Sequence, residues 1–192
     1  MARLILASGS PRRRELLTQA GFTFAVRAAD IDESLRPGED PVEYVTRLAR
    51  EKAQAMYALE GRDDIVVLGA DTTVVLDEEI LGKPVDKTDA VRMLKALSGR
   101  AHRVITGVAV VSADGVEAAS EVTEVWFREI PDAEIAAYVE TGEPMDKAGA
   151  YGIQGRAAKW IPRIEGCFFN VVGLPLARVS AMLEPHGTGT KD

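Results

Sequence analysis

With 192 residues the chain is long enough for one α/β domain or two closely packed lobes, and its 46% hydrophobic and 28% charged content is that of an ordinary globular protein. A net charge of −7 argues against a sequence-independent grip on DNA or RNA, which needs a basic face. One cysteine, Cys167, and two histidines, His102 and His186, exclude a disulfide framework and histidine-rich zinc chemistry, so any metal is expected to be a hard divalent cation held by carboxylates, magnesium or manganese.

In chain order, Leu4–Ala7 reads as a strand that runs straight into Ser8-Gly9-Ser10-Pro11-Arg12-Arg13-Arg14. Ser10 is placed as the N-cap of a helix Pro11–Ala20, with Pro11 at its first position, where the missing N–H costs nothing. The free N–H groups and dipole of a helix start are partly positive. Three arginines in that turn oppose the dipole, and an anion, most often phosphate, would relieve the conflict. The bland alternative is a surface helix with solvated arginines.

Phe24–Arg27 reads as a short strand, followed by an acidic loop whose Asp30, Asp32 and Glu33 are either metal ligands or solvated. A helix then starts with Asp40 as N-cap, Pro41 at the first position and Glu43 completing a capping box, and runs to about Leu59. Its apolar stripe, Val45, Leu48, Ala49, Met56 and Leu59, also contains Lys52, which either snorkels to the edge or meets an anion. Ile65–Leu76 is an apolar, β-branched run expected to form a central strand covered on both faces. Asp71 stands inside that strand. An ionised carboxylate there is costly unless it is paired, hydrogen-bonded or metal-bound. Gly69 and Ala70 remove bulk beside it and would let a ligand approach. The competing reading is an aspartate capping a break between two shorter strands.

Lys83 falls in the turn Leu81-Gly82-Lys83-Pro84, and Thr88–Ser98 is expected to be a helix capped by Thr88. His102–Ser112 and Val116–Phe127 form a hairpin about Ala113-Asp114-Gly115, and Pro131–Glu140 is a short helix. The glycine-rich stretch Gly149–Gly155 is expected to line something, and its Gln154 either reads a planar polar edge or is an ordinary loop glutamine. Ala158–Ile164 suggests a strand and Pro175–Leu183 a final helix. The expected whole is a mixed, strongly twisted central sheet flanked by helices. It forms one domain over residues 1–184 with two lobes around a cleft, and 185–192 are a flexible tail. No phosphate-binding G-x-x-x-x-G-K-[ST] loop and no G-x-S-x-G elbow is present. No apolar run is long enough to span a bilayer and no signal-peptide pattern opens the chain, so the expectation is a cytoplasmic protein without a membrane partner.

Taken together, Leu6-Ala7-Ser8-Gly9-Ser10-Pro11-Arg12-Arg13, Gly69-Ala70-Asp71-Thr72, Gly82-Lys83-Pro84, Asp146–Gly155 and Asn170-Val171-Val172-Gly173-Leu174-Pro175 resemble the Maf family, once described as septum-formation inhibitors. The resemblance runs from Leu4 to about Leu183 and looks closest to the branch that hydrolyses dTTP and UTP. It implies a fold akin to the inosine-triphosphatase-like enzymes, a divalent cation, and often a homodimer. The implied reaction cleaves a nucleoside triphosphate to the monophosphate and pyrophosphate. By matched position it implies Asp71 as general base, with Arg12, Thr72 and Gln154 at the positions associated with base choice. Ser8, Ser10, Arg13, Lys52 and Lys83 fall to the phosphates, and Glu33 and Asp71 to the metal. The rival readings are a non-catalytic nucleotide-binding regulator of cell division and a nucleic-acid module built on Arg12–Arg14, the latter opposed by the acidity of the chain.

Overall fold

A computed structural model describes residues 2–188. Its strands and helices are β1 (Arg3–Ala7), α1 (Pro11–Gln19), β2 (Phe24–Val26), α2 (Pro41–Glu60), β3 (Ile65–Leu76), β4 (Glu79–Leu81), α3 (Lys87–Leu97), β5 (Ala101–Ser112), β6 (Gly115–Trp126), α4 (Asp132–Glu140), β7 (Arg163–Glu165), α5 (Phe168–Val172) and α6 (Leu176–Leu183). The strands form one seven-stranded mixed sheet in the order β2-β1-β3-β5-β6-β7, with β4 paired to β3. β1 runs parallel to both β2 and β3, whereas β3–β4 and β6–β7 are antiparallel. The mixed α/β class read from the sequence is therefore the one observed.

Local chemistry accounts for most boundaries. Ser10 caps α1, Asp40 and Glu43 close a capping box on α2, and Gly61 ends α2 in the left-handed region that glycine tolerates. The expected cap of α3 moves by two residues. Asp86, not Thr88, is the N-cap, its carboxylate accepting from Asp89 N at 2.8 Å, while Asp89 reaches back to Val85 N at 3.1 Å. A carboxylate that satisfies a free amide of the first turn outcompetes the threonine placed inside it.

The strand expected over Ala158–Ile164 is instead a 3-10 helix, Arg156–Trp160, followed by the short β7. Ala157 and Trp160 are both buried, a spacing of three that suits a 3-10 turn rather than a strand. β3 is one unbroken strand, so Asp71 caps no break. A further short 3-10 turn, Glu184–His186, overlaps the start of the segment read as a tail, and Thr188 Oγ1 donates to Leu183 O. Residues 189–192 of that expected tail lie outside the described residues.

The chain divides into two compact units. The first holds the described residues of Met1–Asp71, Thr106–Glu121 and Gly173–Asp192, and the second Thr72–Ile105 and Val122–Val172. In the first, Ala49, Ala53 and Met56 of α2 pack on Ile5, Ala7, Ile65, Val67, Ala109 and Val111 of the sheet. Two strand glycines permit that contact. A Cβ at Gly69 would stand 2.1 Å from Ala49 O, and one at Gly107 2.4 Å from Val45 O. Gly69 thus clears room for a helix backbone, not for a ligand as expected. The second unit is built on Leu94, Leu97, Phe127, Tyr138, Tyr151 and Trp160. Among the described residues no helix is long and apolar enough to cross a membrane.

Candidate active site

In the first unit, Lys52 lies on the face of α2 that carries Leu48 and Met56 into the core, and it is only 9% exposed. Its ammonium meets two carboxylates. Nζ is 2.7 Å from Asp71 Oδ1 and 2.7 Å from Glu33 Oε1. The Asp71 side chain is 14% exposed and that of Glu33 55%. Two of the sequence alternatives are thereby settled: Lys52 does not snorkel to open solvent, and the acidic loop is not wholly solvated. Asp32, by contrast, accepts from Ser34 N and Ser34 Oγ within its own turn.

The two carboxylates beside one ammonium present an all-oxygen donor set, which fits a hard divalent cation. Among the described residues no cluster of three or more His, Cys, Asp or Glu that could hold a metal occurs. Glu33 and Asp71 are the two carboxylates brought together that could hold such an ion.

Arg13 ties three segments together. Its Nε donates to Gly173 O at 2.8 Å, and its Nη1 to Ala70 O at 3.0 Å and to Ser8 Oγ at 3.2 Å. Burial pushes this guanidinium below its ordinary pKa, the charges of Asp71 and Glu33 oppose that, and Arg12 adds to it. It remains a cation, as guanidinium groups in proteins do. Ser8 Oγ also accepts from Ser10 N at 3.2 Å, so both serines are part of the helix start. Arg12 is half-buried in the first turn of α1. The structure thus brings Ser8, Ser10, Arg13, Lys52, Asp71 and Glu33 into one linked set within this unit.

Thr72, Lys83 and Gln154 belong to the second unit. Thr72 is half-buried on β3, while Lys83 and Gln154 are exposed in turns. Gly149 N donates to Gly82 O at 3.1 Å, which ties the turn of Lys83 to the glycine-rich segment that carries Gln154. The glycines of that segment answer internal packing. A Cβ would meet Val74 at Gly149, Lys147 at Gly152 and Glu143 at Gly155.

Sequence reasoning missed Tyr44. Its hydroxyl donates to Glu33 O at 2.9 Å, and its pKa is raised by burial and by the charges of Asp71 and Glu33. A phenol at the start of a helix carries no sign in the sequence of which loop carbonyl it will meet.

Residues 3–186 match the model of the family described as Maf-like protein. Curated relatives named dTTP/UTP pyrophosphatase include that of Hahella chejuensis, 53% identical over 186 residues that cover 96% of this chain and 92% of the relative. Those of Geobacter sulfurreducens (57% over 180 residues, 92% and 93% covered) and Anaeromyxobacter dehalogenans (56% over 189 residues, 96% and 94% covered) are similar. Among solved structures, the Ham1 protein of Staphylococcus aureus covers 95% of this chain and 98% of its own at 10% identity, with a TM-score of 0.47.

Proposed function

Because the chain belongs to the Maf-like protein family, we propose that it is a nucleoside triphosphate pyrophosphatase that converts dTTP and UTP to the monophosphate and pyrophosphate. The observation that carries this reading is the largely buried Lys52 ammonium held between Asp71 and Glu33, beside the cationic Arg13. Water attacks the α-phosphorus, the bond to the bridging oxygen breaks, and pyrophosphate leaves. Asp71 accepts the proton of the attacking water, and Lys52 fixes the orientation of that carboxylate through its 2.7 Å contact. Phosphate oxygens fall to the arginine-rich start of α1, with Ser8, Ser10 and Arg13, and to Lys52 and Lys83. A divalent cation held by Glu33 and Asp71 would polarise the phosphoryl group and make the attacking water more acidic. Arg12, Thr72 and Gln154 carry the choice of a pyrimidine base.

A non-catalytic nucleotide-binding regulator would need the cations but no carboxylate fixed among them, and the placement of Asp71 favours the enzyme. The test is a panel of canonical and modified nucleotides incubated with magnesium or manganese and scored for the products. Pyrophosphate and monophosphate from dTTP and UTP, at rates about tenfold or more above purine nucleotides, is the expected result. A preference for a purine or a methylated base would overturn the pyrimidine assignment, and release of single phosphates would overturn the reaction itself.

A further inference from the structure

The Glu33 carboxylate reaches Lys52 from a loop with little to hold it. Residues 32–38 are all exposed, and Leu35, the loop's large apolar side chain, is 52% exposed. Among the described residues Asp30–Leu35 make no backbone–backbone hydrogen bond. A half-exposed ion pair contributes too little to order such a segment by itself. Yet α2, the helix that presents Lys52, also sends two side chains from its first turns onto this loop. Tyr44 Oη donates to Glu33 O at 2.9 Å and Arg47 Nη2 to Ser34 O at 3.0 Å. Arg47 is bonded through two nitrogens to Glu39 at the far end of the loop and also to Glu51, with both Arg47 and Glu39 largely buried. The Arg47 guanidinium lies 5.7 Å from the centre of the Tyr44 ring, so the two donors support each other.

We propose that Tyr44 and Arg47 are positioning residues for the reaction: one turn apart on α2, they hold the main-chain carbonyls of Glu33 and Ser34 and thereby keep the Glu33 carboxylate on Lys52. This rests on the pyrophosphatase reading for its kinetic consequence but not for its structural one. Both ends of the Glu33–Lys52 contact are set by one rigid helix, so the distance survives the mobility expected of an exposed loop. The phenol donates to the main-chain carbonyl of Glu33, which separates its assigned role from that of the groups assigned to the chemistry.

Tyr44→Phe keeps the ring and its stacking on Arg47 and deletes only the donor. In the full chain this variant is expected to lower kcat for dTTP by about tenfold, with KM within about twofold, and to lower the backbone ¹⁵N order parameters of residues 30–36. Combined with Glu33→Gln, the substitution should cause no further loss of kcat, because both act through one carboxylate. Arg47→Lys, which keeps the charge but loses the fork, should show the same pattern more weakly. Additive losses in the double variant, or unchanged order parameters over 30–36, would overturn the proposal. Wild-type protein that hydrolyses no nucleotide would overturn the functional reading instead, and the order parameters would then still decide the clasp.

Discussion

Lys52 of the first unit and His102 of the second are both buried basic side chains, and the two units treat them in opposite ways. In the first, Lys52 is given two carboxylates at 2.7 Å. In the second, His102, 3% exposed, is given one phenol and two ring edges. Its Nε2 lies 2.7 Å from Tyr151 Oη, with Phe127 and Tyr151 at 4.9 and 5.4 Å between ring centres. Among the described residues no hydrogen-bond partner meets His102 Nδ1, and burial pushes the imidazole pKa down to about 3. Histidine is the usual first suspect for proton transfer near neutral pH. Here the histidine is a neutral packing element, while the lysine, the commoner surface residue, sits in an ion-paired cluster with Glu33 and Asp71. What distinguishes a site from a core is the set of partners supplied, not the type of side chain.

Asp71→Asn should break the first half of that contrast most severely. The amide oxygen still accepts from Lys52 but cannot take a proton. Turnover is therefore expected to fall about 10²- to 10⁴-fold, with nucleotide affinity by equilibrium dialysis kept within about threefold. Hydrolysis at the wild-type rate would remove Asp71 from the chemistry. The next largest effect tests what pins the pair in place. In Gly69→Ala the new methyl collides with the carbonyl of Ala49 and meets the Cβ of Ala53 at 3.0 Å, residues that flank Lys52 on α2. Since backbone must move to admit it, urea denaturation should show a loss of about 3 kcal/mol. Turnover should fall as well, because α2 shifts against the strand that carries Asp71. Unchanged stability would mean that the helix can slide without penalty.

Much of this was legible in the sequence, for reasons that differ by element. The strand β3, the capping box of α2 and the α1 start follow from local patterns, and the structure keeps all three. The segment Arg156–Trp160 misled because its apolar content fits a strand, whereas the spacing of Ala157 and Trp160 is set by a core that only tertiary structure reveals. In the site, Lys52 and Asp71 were conspicuous as charges among apolar neighbours. Residue spacing could not decide whether Glu33 was solvated, because its partner lies on another element. Nor could it show that the freedom of Gly69 serves Ala49, or that Tyr44 reaches a loop eleven residues away.

The smallest expected effect sharpens the second half of the contrast. If burial keeps His102 neutral, its folded pKa of about 3 lies below the ordinary 6.5, so protonation favours the unfolded chain. The stabilisation is then complete above pH 6.5 and is lost as pH falls toward 3. Between pH 7.5 and 5 the loss amounts to about 2 kcal/mol. Glu134, held at about 2 by the Trp160 indole, Lys159 and Arg128, acts in the same direction but titrates lower. Its contribution is shared by any variant that leaves it in place. His102→Gln keeps a hydrogen-bonding group for Tyr151 and cannot gain a proton in this range. Urea midpoints measured across pH should therefore diverge, the wild type losing about 2 kcal/mol more than His102→Gln by pH 5. Parallel curves would show that the imidazole is not kept neutral by its apolar surroundings, and the opposition between the two basic side chains would fail.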